Sequence, residues 1–322
     1  MSEQQNTHVI FGTGPVGSAV ADALVRRGKH VRMVNRSGKA EVPAGVEVVA
    51  ADAYQVSAVS QVTKDAAVVY QCAQPGYTEW AEKFPPLQAA ILEGVAAIGA
   101  KLIVAENLYM YGEVTGPIHE GLPYAAHTKK GKVRAAMTEA LFAAHRAGTV
   151  RVATARASDF FGPTALDSAL GERVVPPLLQ GKAAQIGGRA DMPHSMTYIA
   201  DFGEALAVLG ERDEALGQAW HVPNAEALTQ SDFVRRLAAE AGVEPKIQTI
   251  SPFMMRLAGL FIPPAREMVE MMYEFTAPYI VDHSRFVRAF GDIHTSYDVS
   301  LPATVAWYRK WLKAELAASK AA

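Results

Sequence analysis

The run Gly12-Thr13-Gly14-Pro15-Val16-Gly17 follows directly on the mainly apolar segment Thr7 to Phe11 and opens an Ala-rich stretch that ends at Arg27-Gly28. Three glycines at that spacing, set between a strand and a helix, leave few folds open. The first glycine allows a tight turn, the second lets the backbone approach a pyrophosphate, and the third lets the helix pack close to the strand. The helix N-terminus adds aligned N–H donors for a negative charge. The context therefore predicts a βαβ unit that cradles a dinucleotide.

The rest of the first half repeats that unit. Short unbroken apolar runs at Val31–Val34, Val46–Val49, Ala66–Tyr70, Leu102–Ala105 and Val150–Ala155 read as strands buried on both faces. Helical stretches near Tyr54–Val62, Phe84–Gly99 and Thr128–Ala147 separate them. The expected fold is α/β, a Rossmann doubly wound parallel sheet with a smaller, mainly helical C-terminal cap. Residues 1–163 form the dinucleotide-binding domain, with a return segment at 194–223 that holds a helix near Ile199–Gly210 and a strand at Ala219–Val222. Residues 164–193 and 224–322 form the substrate or cap domain, ending in a short frayed tail after Leu312.

With 322 residues, half of them hydrophobic, the chain can bury a large core. Its 31 Lys+Arg against 33 Asp+Glu give a net charge of −2, which argues against a nucleic-acid partner. A single cysteine, Cys72, rules out an internal disulfide and a cysteine-cluster metal site, and fits a reducing cytoplasm. No metal is expected. Met1–Asn6 has neither the basic nor the apolar region of a secretory signal. The apolar stretch Phe253–Pro264 is broken by Arg256 and closed by Pro263-Pro264, short of the roughly 20 residues a membrane span needs. The expected protein is soluble, with a small-molecule substrate, no membrane partner, and a monomeric or homodimeric state.

The choice of dinucleotide falls at the end of the second strand, where an acidic residue would bind the ribose hydroxyls of NAD. Here the sequence reads Asn35-Arg36-Ser37. Arg36 can pair with a 2′-phosphate or stack on adenine, and Ser37 can donate a hydrogen bond, so NADP(H) is favoured over NAD(H). The alternative is a solvated surface arginine. Asp52 could accept from the adenine amino group or cap the helix beginning near Ala53. Cys72-Ala73-Gln74 follows the fourth strand, along the edge where the cofactor must lie.

Three further segments extend the pattern: Tyr111-Gly112 after the fifth strand, Arg156-Ala157-Ser158-Asp159-Phe160-Phe161-Gly162-Pro163, and His194-Ser195-Met196-Thr197-Tyr198-Ile199-Ala200-Asp201. With these the chain resembles the short-chain dehydrogenase/reductase superfamily, in its extended or atypical, NAD-dependent epimerase/dehydratase-like branch. That resemblance implies a tyrosine four residues before a lysine, with a Ser or Thr upstream, to exchange a proton while the cofactor exchanges a hydride. None of the 11 tyrosines has a lysine at that spacing, Asn107 stands at the upstream serine position, and Asp159 replaces the usual asparagine.

The segment Tyr124 to Lys132 still offers a phenol, an imidazole, a hydroxyl and several ammonium groups. Tyr124 is the first candidate proton donor, steadied by Lys129 or Lys130. His127 is the alternative, because its unperturbed pKa lies near neutrality, and Thr128 alone would be a poor acid. Asn107 and Asp159 would orient the substrate, and Lys130 would hold the nicotinamide ribose. Two function classes follow. One is an NADP-dependent oxidoreductase or epimerase/dehydratase-like enzyme acting on a small carbonyl or hydroxyl compound or a sugar derivative. The other is a non-catalytic NADP(H)-binding sensor or regulatory protein. A methionine-rich group, Met254, Met255, Met268, Met271 and Met272 with Phe253, Phe261, Tyr273 and Phe275, reads as core or as an adaptable pocket roof.

Overall fold

The structure, a computed structural model, describes residues 7–321, so the expectation for Met1–Asn6 lies outside the described residues. In chain order the first elements are β1 (Thr7–Phe11), α1 (Pro15–Arg26), β2 (His30–Asn35), β3 (Glu47–Ala50), α2 (Val56–Thr63), β4 (Ala66–Gln71), α3 (Trp80–Ala96), β5 (Lys101–Glu106), α4 (Lys129–Arg146) and β6 (Arg151–Arg156). Next come β7 (Phe160–Phe161), α5 (Val175–Leu179), β8 (Ala184–Gly187), β9 (Pro193–His194), β10 (Thr197–Tyr198), α6 (Ile199–Glu211) and β11 (Ala219–His221). The last are β12 (Leu228–Thr229), α7 (Gln230–Ala241), β13 (Ile247–Ile250), α8 (Pro252–Ala258), α9 (Pro263–Met268), α10 (Ser284–Phe290) and α11 (Tyr297–Ala321).

Seven strands form one sheet in the order β11-β6-β5-β4-β1-β2-β3, and every pairing in it is parallel. The order reverses beside β1, which places the topological switch, and so the ligand crevice, at the C-terminal ends of β1 and β4. Alternate residues of each strand feed two apolar layers. Ile10, Met33, Tyr70 and Ile103 pack with α1 and α6 on one face. Val9, Phe11, Val69, Leu102 and Val104 pack with α3 and α4 on the other. A third cluster, with Phe161, Phe233, Leu237, Leu301 and Tyr308 at its centre, joins α7 and α11 outside the sheet.

Three local expectations change. Helix α3 begins at Trp80 rather than Phe84, because the Trp80 and Phe84 rings, one turn apart, meet edge to face at 5.3 Å on the buried side. The tail after Leu312 continues α11 as helix to Ala321 rather than fraying. The methionine-rich group splits: Met255, Met271, Met272 and Phe275 are buried, whereas Phe253, Met254 and Phe261 are exposed. Phe286 and Phe290, from the segment assigned to the cap, pack against Trp220 of β11.

Candidate functional site

The glycine loop is held from below by the sheet. The Gly12 N–H donates to the Val34 carbonyl at 2.9 Å, and the Cys72 N–H donates to the Phe11 carbonyl at 2.9 Å. A Cβ on Gly12 would stand 2.7 Å from the Ala73 nitrogen, and φ there is +104°, so only glycine fits. A Cβ on Gly17 would stand 2.1 Å from the Gly12 carbonyl oxygen, which shows how tightly α1 sits on the turn. Gly14 differs from both. It caps α1 with no side-chain hydrogen bond, and a Cβ built there meets nothing within 4 Å. The start of α1 therefore presents open backbone and N–H groups that no side chain has claimed, which suits a pyrophosphate.

Asn35 organises the loop that follows β2. Its amide donates to Thr13 Oγ1 at 3.0 Å and to the Lys39 carbonyl at 2.9 Å. Its Oδ1 accepts from the backbone N–H groups of Ser37 and Gly38 and from the Ser37 hydroxyl. This turn leaves the Arg36 side chain exposed, with no ion pair or hydrogen bond among the described residues. Asp52 is also exposed and accepts from the Tyr54 N–H at 3.1 Å. The bond closes a turn ahead of α2, whose N-cap is Gln55, so the helix does not begin near Ala53 as expected. Cys72 is half-buried, and packing around its sulfur pushes the thiol up to about 12. Ala73 lies beneath Gly12, and Gln74 is exposed.

At the other end of the crevice, α4 starts with Thr128 as N-cap, its hydroxyl accepting from the Gly131 N–H at 3.1 Å. The N–H groups of Lys129 and Lys130 donate to the Glu270 carboxylate at 2.7 and 3.2 Å. The Lys130 side chain is buried: its ammonium pairs with Glu267, lies 3.7 Å from Glu270, and sits 4.3 Å above the Tyr77 ring. Two cap carboxylates thus already face the lysine expected to hold the nicotinamide ribose.

Asp159 Oδ2 and His194 Nε2 lie 2.8 Å apart, and the imidazole stacks on Phe275 and Tyr279. Glu274 is buried beside them and accepts from the Tyr279 hydroxyl at 3.1 Å. Burial, then the Asp159 charge, pushes its pKa well above the ordinary carboxylate value. Asn107 accepts from the Tyr109 N–H at 3.2 Å, and Tyr109 and Tyr77 lie within the electrostatic reach of Asp159 and Glu274. Asp159 and Lys130 therefore share a neighbourhood, with Tyr77 between them and Asn107 on the adjoining turn. His127 lies at the rim, 60 % exposed and 3.7 Å from Glu113, with its ring 5.8 Å from that of Tyr273, which is in the electrostatic reach of Glu274 and Tyr77.

Tyr124 belongs to a different set of contacts. Its hydroxyl accepts from Arg156 Nη2 at 2.6 Å. Arg156 also donates to Glu106 Oε2 at 3.0 Å and to the Tyr111 hydroxyl. Burial alone would lower the pKa of Arg156, but Glu106, Tyr111 and Tyr124 hold it above the ordinary value. Glu106 takes further bonds from Arg134 and Thr138. His221 lies 3.1 Å from the Asp282 carbonyl through Nδ1 and 3.0 Å from the Tyr111 hydroxyl through Nε2. A carbonyl can only accept, so Nδ1 carries the proton and Tyr111 donates to Nε2. Burial, then Arg156, lowers the pKa of His221 to about 3.

Several of these groups lay outside the expected site. Arg156 and His194 head two of the segments that carry the resemblance, so position alone could have marked them. No sequence spacing points to Glu267, Glu270 or Glu274.

Residues 9–222 match the profile of the family described as NAD dependent epimerase/dehydratase. No curated protein matches the chain. Similar solved structures include a UDP-glucuronic acid 4-epimerase from Bacillus cereus in complex with NAD, 18% identical, TM-score 0.76, over 95% of this chain and 99% of that one. A double mutant of a dTDP-glucose 4,6-dehydratase from Streptomyces venezuelae with NAD bound is 15% identical, TM-score 0.75, over 94% and 97%. An epimerase from Methanothermobacter thermautotrophicus is 14% identical, TM-score 0.79, over 96% and 94%. At these identities the likeness is one of fold.

Proposed function

The chain belongs to the NAD dependent epimerase/dehydratase family, and on that premise we propose an enzyme that uses a nicotinamide dinucleotide to act on a small carbonyl or hydroxyl compound or a sugar derivative. Oxidoreduction, or epimerisation or dehydration through transient oxidation, is the reaction class. The observation that carries the reading is the uncapped start of α1 at Gly14, open to a pyrophosphate where its neighbours Gly12 and Gly17 are tightly packed. NADP(H) is favoured over NAD(H), because Arg36 and Ser37 stand where a carboxylate would repel a 2′-phosphate. The similar structures named above hold NAD, so this preference rests on Arg36 of this chain. Cys72 as lone cysteine supports a cytoplasmic setting.

The bound nicotinamide supplies hydride exchange. The chain's own part is to hold and move a proton. Tyr124 is the proposed donor, its oxygen fixed by Arg156, with His127 the alternative. Asp159, tied to His194, and Asn107 would orient the substrate, and Lys130 would turn from Glu267 to the ribose. Calorimetric titration with both dinucleotides tests the cofactor: each charge-assisted contact contributes roughly 1.5–3 kcal/mol, so NADP(H) should bind about tenfold or more tightly. Arg36→Ala should erase the difference. Equal affinities, or an unchanged ratio in the variant, would assign Arg36 to solvent.

A non-catalytic NADP(H) sensor is the second reading, favoured by the engagement of Lys130 with Glu267 and of Tyr124 with Arg156. Steady NADPH consumption across aldehydes, ketones and nucleotide sugars separates the two. Turnover on any of them supports the enzyme, and retained NADPH binding without turnover assigns the sensor.

A further inference from the structure

The stretch Lys246–Arg266 holds three cations, Lys246, Arg256 and Arg266, and no aspartate or glutamate, in a chain whose net charge is −2. It folds as β13, α8 and α9, and the two short helices pack on each other as a hairpin whose own core is small: Met255 and Ala265 buried against Met272. The larger apolar side chains point away. Phe253 is 72 % exposed, Met254 45 %, Leu257 54 %, Leu260 73 %, Phe261 84 % and Ile262 53 %. Six large apolar side chains that exposed, on a single hairpin of two short helices, are a concentration rather than the single scattered exposures that need no explanation.

Exposures that high describe a projecting tip rather than a groove, so a narrow ligand or a clasping peptide has no walls to bind. The chemistry on offer is an apolar tip with two exposed arginines, Arg256 and Arg266, on its own helices, while Lys246 lies at the foot of β13 with its ammonium donating to the Gly181 carbonyl at 2.9 Å. Of the two acids that flank the stretch, Glu267 turns inward to Lys130 and Glu244 stands before β13, beside Lys246 rather than on the helices that carry the arginines. We propose that this hairpin docks on an anionic lipid bilayer, with Phe253, Leu260 and Phe261 entering the boundary between headgroups and acyl chains and Arg256 and Arg266 meeting lipid phosphates. A second copy of the chain is the competing occupant. A two-fold contact sets the same patch against itself, and would bring four arginines together, with no acid on the same two helices but Glu267, which pairs with Lys130. Docking of this kind needs no spanning helix, and no described helix is long and apolar enough to cross a membrane.

Co-sedimentation of the full chain with vesicles tests the proposal. Wild type should pellet with vesicles of seven parts phosphatidylcholine to three parts phosphatidylserine, and far less with phosphatidylcholine alone, and added salt should release it. Phe253→Ser with Phe261→Ser should lower partitioning by at least about tenfold, and Arg256→Gln with Arg266→Gln by about tenfold on the anionic vesicles only. All of these side chains are exposed, so both variants should keep the wild-type thermal midpoint. Wild type that stays in the supernatant with both vesicles would overturn the proposal. So would a wild-type dimer in sedimentation velocity that the phenylalanine variant converts to monomer, which would assign the hairpin to a second copy.

Discussion

Tyr124 is the residue on which turnover depends in this account, and it is also a structural ligand of a buried guanidinium. Removing its hydroxyl takes one acceptor from Arg156, whose side chain has no solvent exposure. Tyr124→Phe should therefore cost about 1–3 kcal/mol of stability and, on any substrate that turns over, depress the turnover rate while sparing NADPH affinity. Kinetics and NADPH titration on the same preparation check both. Loss of NADPH binding would make Tyr124 structural only. The cofactor loop was legible in the sequence because its turn is set within six residues, as the +104° φ of Gly12 and the contact of Gly17 with the Gly12 carbonyl show. The surroundings of Lys130 were not, since its partners Glu267 and Glu270 lie some 140 positions along the chain and follow no local rule.

At the scale of elements, the C-terminal ends of β5, β6 and β11 are joined by a chain of bonds from Glu106 through Arg156 and Tyr111 to His221. Because folding lowers the pKa of His221 from 6.5 to about 3, the native state binds fewer protons than the unfolded chain between those values. The stabilisation is complete above pH 6.5 and is lost as pH falls toward 3. Wild type should lose about 2 kcal/mol more than His221→Gln between pH 7.5 and 5, at roughly 1.4 kcal/mol per pKa unit. Urea melts at the two pH values measure it, and equal losses would exclude His221 as the titrating group. The strands themselves read directly from unbroken apolar runs. Element starts were harder: Asp52 closes a turn before α2 instead of capping it, and the apolar residues of α8 and its loop to α9 look like core to any pattern that counts hydrophobicity without knowing what lies opposite.

For the whole molecule, net charge and span length set the sequence-based expectation of a soluble protein with no membrane partner. Span length governs crossing a bilayer, not lying on one, and net charge hides the acid-free stretch from Lys246 to Arg266. Sheet order, switch point and glycine loop together lead to the central claim, that a nicotinamide dinucleotide lies across the ends of β1 and β4 with its pyrophosphate at Gly14. Gly14 has φ −79° and ψ −172°, a conformation open to any residue, and an added Cβ meets no protein atom within 4 Å. Gly14→Ala should thus fold with an unchanged thermal midpoint while placing a methyl group where the pyrophosphate meets the backbone. Calorimetric titration of NADP+ into wild type and this variant is the most direct measurement: the account predicts binding by wild type and a loss of at least about tenfold in the variant. Wild type that takes up neither NADP+ nor NAD+, or a Gly14→Ala protein that binds as tightly as wild type, would contradict it.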